Sequence, residues 1–331
     1  MTPPTRPLLL LLAACTGDPD VEPPTFQPLP LDDVLRLNHV QSKGTHNSYH
    51  LQPATVVHPS HAYSHAPLYE QLSEQGVRQL ELDLHWHEEL GLQVFHLPGI
   101  DAETTCLAFA DCLAEIRRFS DDHLGHLPVL VWLEPKHLDM DFLVPELGDL
   151  HEHWADLDRA IFEGMGSERL LTPDQVRGDH ATLPEALASE GWPVLGEVRG
   201  KVIFALLDSG ESRDSYLGGE LTLEGRPLFV DSSEVSDPFA AFFKDVDTAR
   251  GTELALAGFI TTDNVAGISD APEENQARQE AQRAAGVHFL ATDIPAPVEG
   301  REDALELGAA VVCNPVSAPE GCEVGVLEPG Y

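Results

Sequence analysis

Lys43-Gly44-Thr45-His46-Asn47-Ser48-Tyr49-His50 is the stretch on which the reading of this chain turns. A strand-like run, His39 to Thr45, leads straight into it. A histidine and an amide therefore stand where a strand ends and a loop begins, a place that presents reactive side chains from a rigid scaffold. A His-Asn pair by itself reads as readily as a turn. Three later stretches change the balance: Glu81-Leu82-Asp83, His96 in Phe95-His96-Leu97-Pro98-Gly99, and Glu134-Pro135-Lys136. With His46 and Asn47 they supply two imidazoles, three carboxylates, an amide and a lysine, most of them at or near strand ends.

Working outward, strand-like runs fall at His39–Thr45, Arg78–Leu84, Leu92–His96, Pro128–Glu134, Lys201–Leu207, Leu228–Val230, Ala257–Thr262 and His288–Thr292. Helical segments lie between them. Pro67–Gln75 has helix-forming composition and stops at Gly76. Ala108–Asp121 places Phe109, Cys112, Leu113, Ile116 and Phe119 near one face. Leu147–Met165, Leu183–Glu190 and Pro272–Ala285 also read as helices. Repeated strand–helix order predicts a parallel sheet. About eight strands in roughly 290 residues fit one closed (β/α)8 barrel of the TIM type. An open doubly wound sheet is the alternative, and it lacks the Gly-rich phosphate loop after an early strand. There is no internal repeat and no second domain. The barrel is expected over residues 31–300, with residues 301–331 as a tail packed on it.

The 331 residues carry a net charge of −37, and 42% of them are hydrophobic. That apolar share supports a substantial core. The charge excludes a nucleic-acid partner, since little here could neutralise phosphates. It also disfavours broad electrostatic docking on an anionic membrane, and is otherwise the solvated surface of a soluble protein. Oligomeric state is not legible. At the N-terminus, Arg6 precedes a short apolar run, Leu8 to Ala14, too short to span a bilayer. This is the pattern of a secretory signal. Leu12-Ala13-Ala14-Cys15 resembles a bacterial lipobox, which implies a signal peptide over residues 1–15 and lipidation of Cys15. An ordinary signal peptide with an incidental cysteine is the alternative. Residues 16–30, rich in Pro, Asp and Glu, read as a flexible tether. The expected location is then that of an exported bacterial lipoprotein, anchored in a membrane through Cys15. In an exported protein the remaining cysteines are plausible local disulfides, Cys106–Cys112 and Cys313–Cys322, although other pairings and a zinc site fit the count.

The chemistry begins with alternation. In a strand, Glu81 and Asp83 share one face and Leu80, Leu82 and Leu84 take the other. Two carboxylates facing into a barrel repel unless something positive sits between them. A hard divalent cation is the natural partner; a solvated edge strand is the alternative. Val129 to Leu133 is a near-continuous apolar run ending in Glu134, as a buried parallel strand reads where it surfaces. Asn47, Glu81, Asp83 and Glu134 would make an oxygen shell of the kind calcium prefers. Lys136 would hold a substrate phosphate or make a surface ion pair. His46 and His96 suit acid–base work at a phosphoryl centre. The other histidines singled out (His58, His61, His65, His85, His87, His123, His126, His137, His151 and His153) read as structural or solvated. A zinc site on His85 and His87 is the weaker alternative, because neighbouring carboxylates favour a harder ion.

The ordered set Lys43-Gly44-Thr45-His46-Asn47-Ser48-Tyr49, Glu81-Leu82-Asp83, His96 and Glu134-Pro135-Lys136 resembles the calcium-dependent phosphatidylinositol-specific phospholipase C family of bacteria and fungi. Leu171 to Gly178, Trp192 to Gly196, Arg199 to Phe204 and Ala291-Thr292-Asp293 extend the resemblance from about Leu35 to Pro297. It implies a distorted (β/α)8 barrel and Ca2+-assisted cleavage of a phospholipid or small phosphodiester. The inositol 2-hydroxyl attacks phosphorus, diacylglycerol leaves, and a cyclic inositol phosphate forms first. By position, Asn47, Glu81, Asp83 and Glu134 would be calcium ligands. His46 would bond the phosphate oxygen, and His96 would protonate the leaving oxygen. Glu81 and Glu134 are both candidates for the base. Where relatives tend to carry an arginine-containing Thr-Arg-Ala-Asp stretch, this chain has Thr261-Thr262-Asp263-Asn264-Val265-Ala266. Asp293 would contact substrate hydroxyls or cap the turn into Pro295; Ile294 follows where relatives commonly have an aromatic residue. Two other readings stand beside this one. A glycerophosphodiester phosphodiesterase would pair its first histidine with arginine, where Asn47 stands. An inactive surface lipoprotein that binds a ligand should have lost a member of the set.

Overall fold

The structure, a computed structural model, describes residues 26–136 and 144–328. Cys15, the apolar run before it, residues 16–25 of the expected tether and His137 lie outside the described residues. In chain order the strands are β1 (Val40–Thr45), β2 (Val77–His87), β3 (Gly91–Val94), β4 (Val129–Pro135), β5 (Leu147–Gly148), β6 (Val202–Leu206), β7 (Leu228–Val230), β8 (Phe242–Phe243), β9 (Ile260–Ala266), β10 (Phe289–Thr292) and β11 (Val311–Cys313). The helices are α1 (Leu68–Ser73), α2 (Phe109–Asp122), α3 (Trp154–Met165), α4 (Pro173–Arg177), α5 (Leu183–Ser189), α6 (Leu195–Val198), α7 (Glu211–Leu217), α8 (Thr248–Leu256) and α9 (Pro272–Ala284).

Eight strands lie side by side in the order β7-β6-β4-β2-β1-β10-β9-β8, all parallel to their neighbours. The two ends of this path meet just past β7. Asp231 bridges Phe242 in parallel, and the Ser232 amide donates to the Phe242 carbonyl at 3.0 Å. The sheet is thereby a nearly closed barrel, its staves in chain order and its seam held by little more than one bridge.

Three expectations are corrected. Leu92–His96 is not a stave: β3 pairs antiparallel with β2, Leu84 against Val94 and His87 against Gly91. Only three residues separate these strands, and a parallel neighbour needs a crossover of about a dozen or more. The missing stave is β8, two residues long and too short to show a period. Leu147–Met165 is not one helix. It divides into β5, a 3-10 turn at Leu150–Glu152 and α3, because Asp149 caps the turn by accepting from the His151 amide. The stave expected at Ala257–Thr262 is Ile260–Ala266, after α8 ends and Gly258 takes φ +90°.

The outward leucines of β2, Leu80, Leu82 and Leu84, are fully buried, as are Cys112, Ile116 and Phe119 of α2. Each such side chain contributes about 1.5–3 kcal/mol of burial. Inside the barrel, a Cβ on Gly44 would meet Gln79 Oε1 at 2.2 Å. Only glycine lets the Gln79 amide lie there and donate to the Thr45 carbonyl at 3.2 Å. At the opposite end, β11 pairs antiparallel with the first half of β1. Glu328 takes both Nε (3.1 Å) and a terminal nitrogen (2.6 Å) of the buried Arg78. The disulfides are Cys106–Cys112 and Cys313–Cys322, with Cα–Cα separations of 5.3 and 6.0 Å.

His288 ties three of these segments together. Its Nδ1 accepts from the Thr261 amide (3.1 Å) and its Nε2 donates to the Asn38 carbonyl (3.0 Å), so the ring is held neutral. Burial pushes its pKa down from 6.5 to about 4. The unfolded chain therefore binds the extra proton in this window, and stability falls as pH drops from 6.5 towards 4. The loss from this one group approaches about 1.4 kcal/mol per pH unit. Urea unfolding at several pH values between 7 and 4.5 should show a shallower acid loss in His288→Asn than in the unaltered chain. Equal slopes would remove His288 from the acid response.

Candidate active site

Strand register assembles the site. Thr45 of β1 is paired with Thr292 of β10, so the next residues, His46 and Asp293, leave neighbouring staves at the same height. His46 Nδ1 lies 2.8 Å from Asp293 Oδ1. The other Asp293 oxygen accepts from the Ile268 amide at 2.8 Å. Asp293, expected on substrate hydroxyls or as a turn cap, thus orients His46 with one oxygen and takes a loop amide with the other. Burial works against charge on His46, but Glu81 and then Asp293 outweigh it and lift its pKa to about 9.

Asn47 has φ +45°, in the left-handed region that costs a side-chain-bearing residue energy. The turn is held from both sides. The Ser48 amide donates to the Glu81 carbonyl (2.9 Å), Ser48 Oγ accepts from the Glu81 amide (2.8 Å), and Gln71 Nε2 donates to the Ser48 carbonyl (2.6 Å). The Asn47 side chain is buried, with its Oδ1 3.4 Å from the Tyr49 hydroxyl.

On the next staves, Asp83 is paired with Glu134 and Glu81 with Trp132. Glu81, Asp83 and Glu134 each offer an oxygen within 4.8 Å of the others. Glu81 and Asp83 are buried. Burial pushes the Asp83 carboxyl up to about 7, with Lys136 opposing and Glu134 assisting. Lys136 Nζ sits 2.9 Å from Asp83 Oδ2 and 2.7 Å from Glu134 Oε1. It therefore bridges two expected metal ligands. Lys244, just after β8, reaches Glu81 Oε2 at 3.1 Å. Burial would raise the Glu81 pKa, but Lys244 and His46 bring it below the usual carboxylate value. Asp83 Oδ1 is buried with no hydrogen-bond partner. An all-oxygen set with an orphaned carboxylate oxygen fits a hard cation such as Ca2+.

His96 Nδ1 lies 2.7 Å from Asp101 Oδ2. Asp101 is fully buried, and its other oxygen is 2.8 Å from His50 Nε2. Burial lowers the His96 pKa, Asp101 opposes, and Lys136 adds to the lowering. His85 and His87 do not form a metal pair. His85 Nε2 faces the Phe95 carbonyl at 3.0 Å and its ring stacks on Phe95, while His87 Nδ1 accepts from the Glu89 and Leu90 amides.

A cavity of about 420 Å³ opens beside this cluster, lined by His46, Glu81, Glu134, Asp208, Asp231, Lys244, Asp245 and Asn264 among others. Asn264 lies within the stretch that departs from the arginine-bearing pattern, and its Oδ1 is buried without a partner. Sequence reasoning missed Lys244, Asp231 and Asp101. For Lys244 a signal existed: Phe239 to Phe243 is an apolar run ending in a charge, like the run into Glu134.

The model of the Ca2+-dependent phosphoinositide phospholipase C family matches residues 35–91 and 85–315, most of the chain. The chain belongs to this family. Its members are phosphoric diester hydrolases that depend on Ca2+, and this chain is one of them. Among solved structures, a Ca2+-dependent phosphoinositol-specific phospholipase C from a Gram-negative Pseudomonas species shares the fold with a TM-score of 0.59. It is 18% identical, over 86% of this chain and 97% of that one. The Ca2+-dependent phosphatidylinositol-specific phospholipase C of Streptomyces antibioticus gives a TM-score of 0.58 and 20% identity, over 79% and 96%. No curated protein sequence matches.

Asp83→Asn removes the buried carboxylate with least change of shape. Calorimetric titration should show Ca2+ binding weakened at least about tenfold, at a temperature where circular dichroism shows the variant folded in chelator. Retained affinity would take Asp83 out of the metal set.

Proposed function

We propose that the chain cleaves phosphatidylinositol-type lipids between phosphate and glycerol, using His46 and His96 in separate roles. The observation that supports this most is the register pairing that sets Asp83 beside Glu134 and His46 beside Asp293, all at one end of the barrel. His46, held cationic by Glu81 and Asp293, donates to a non-bridging phosphate oxygen. His96, backed by Asp101, donates the proton taken up by the departing glycerol oxygen. The inositol 2-hydroxyl oxygen forms the new bond to phosphorus as the bond to the glycerol oxygen breaks. The hydroxyl proton passes to Glu81 or Glu134. The products are diacylglycerol and a cyclic inositol phosphate, which water can then open. Asn47, Glu81, Asp83 and Glu134 would hold calcium, whose charge would offset that developing on phosphate and the attacking oxygen.

The lipobox-like Leu12-Ala13-Ala14-Cys15 supports an exported lipoprotein tethered to a membrane through Cys15. Residues 16–30 are its leash, 31–300 the catalytic barrel and 301–331 the tail. Among the described residues no helix is long and apolar enough to cross a membrane, so the anchor carries that part of the proposal.

The test is release of inositol phosphates from phosphatidylinositol vesicles by protein lacking residues 1–15, with Ca2+ and with a chelator. Release should require Ca2+. His46→Ala and His96→Ala should each lower turnover by at least about a hundredfold while circular dichroism is unchanged. Release that survives both substitutions would overturn the assignment of roles. No release from a folded, Ca2+-binding protein would point to a different diester, with the Thr262–Ala266 stretch as the first place to look.

A further inference from the structure

Asp101 is the centre of a second cluster, separate from the three-carboxylate set. Its Oδ1 is held by His50 at 2.8 Å, and the His50 Nδ1 is in turn 3.1 Å from the Tyr63 carbonyl. Its Oδ2 faces two imidazoles, His96 Nδ1 at 2.7 Å and His61 Nδ1 at 3.6 Å. His61, His96 and Asp101 each present a ligand atom within 4.8 Å of the others. The His61 ring meets the His96 ring edge-on, 5.5 Å between centroids. His61 is 9% exposed, and its Nδ1 is buried with no hydrogen-bond partner. A buried ring nitrogen aimed at a carboxylate oxygen, yet too far to bond it, leaves a gap suited to an ion.

We propose that His61, His96 and Asp101 form a site for a borderline transition-metal ion, Zn2+ above all, distinct from the calcium site. Two imidazoles and one carboxylate are a donor set that zinc takes with a fourth position open to water. The hard oxygen cluster of Glu81, Asp83 and Glu134 selects calcium instead. His50 supplies the outer hydrogen bond that orients the carboxylate, as the partners of zinc ligands do. Access is from the His96 side, whose side chain is 21% exposed while that of Asp101 is fully buried. Binding displaces the proton between His96 Nδ1 and Asp101 into solvent, so zinc affinity falls as pH drops. Resting on the role given to His96 above, the bound ion also stops that ring from donating a proton, which makes the site inhibitory.

Calorimetric titration of the Ca2+-saturated protein with Zn2+, and Co2+ absorption as a second readout, test this without any assay of turnover. One tight equivalent is expected, with the visible spectrum of four-coordinate cobalt. His61→Gln should weaken that equivalent by at least about tenfold and leave Ca2+-dependent turnover without zinc unchanged. In the unaltered protein zinc should inhibit; in His61→Gln the inhibition should shift to correspondingly higher zinc. No stoichiometric Zn2+, or binding that His61→Gln does not alter, overturns the site. Tight binding without inhibition overturns only the inhibitory role, and a protein inactive on phosphatidylinositol leaves the calorimetric result standing.

Discussion

Three carboxylates sharing one end of a barrel is the constraint around which this structure is arranged. Glu81 and Asp83 are buried, and Glu134 offers an oxygen within 4.8 Å of both. Burial alone would favour protonating them, and proximity worsens it. Two lysines oppose this, and they hold Glu81 below the usual carboxylate value while Asp83 stays raised to about 7. Lys136 spans Asp83 and Glu134, and Lys244 crosses from the far side of the barrel to Glu81. The lysines come from different staves, so the ion pairs also link β4 and β8 to β2. A buried ion pair contributes little net stability, but losing one partner leaves an uncompensated charge. The cluster thus depends on the barrel being closed, and the seam between β7 and β8 lies next to it.

Parallel pairing does the rest of the positioning. Neighbouring parallel strands keep matched residues at the same height, so a pair that follows the last matched residues is placed without side-chain adjustment. His46 and Asp293 follow Thr45 and Thr292; Asp83 and Glu134 are themselves matched. The loop after β1 is clamped onto β2 by Ser48 and onto α1 by Gln71, and those clamps hold Asn47 in its left-handed conformation. His96 arises differently. It follows the short hairpin strand β3, and Asp101, one tight turn later, fixes its ring.

What the sequence made legible follows from these differences. Staves with five or more apolar residues carry their own signal, and β2, β4 and β6 were readable within a few residues; β1, with Val40 as its one large apolar residue, was readable from the motif that follows it. The alternation in Glu81-Leu82-Asp83 revealed the acidic face because a strand's period needs only three residues to show. β8 was not readable: Phe242-Phe243 is shorter than any period, and its place in the barrel comes from pairing with β9 and the bridge to Asp231. Lys244 was missed with it. Lys136 and Asp293 stood out in the sequence, but their partners Asp83 and His46 come from neighbouring staves. Whether Lys136 faces a phosphate or two carboxylates depends on the β2–β4 register, which no local pattern encodes.

Charge at the site limits what can be bound there. With all three carboxylates ionised, as a bound cation would hold them, Glu81, Asp83 and Glu134 against Lys136 and Lys244 leave one negative charge, while cationic His46 and Asp293 cancel each other. A divalent ion turns that single negative charge into a single positive one. A phosphodiester carries one negative charge and brings the site to neutrality. A phosphomonoester dianion would overshoot, in a cavity whose remaining wall is lined with Asp208, Asp231 and Asp245. Those carboxylates repel further phosphates and accept hydrogen bonds from hydroxyls. The lysines therefore do more than hold the carboxylates in place. With both retained, a divalent ion leaves a surplus of one positive charge, matched to the charge of a diester.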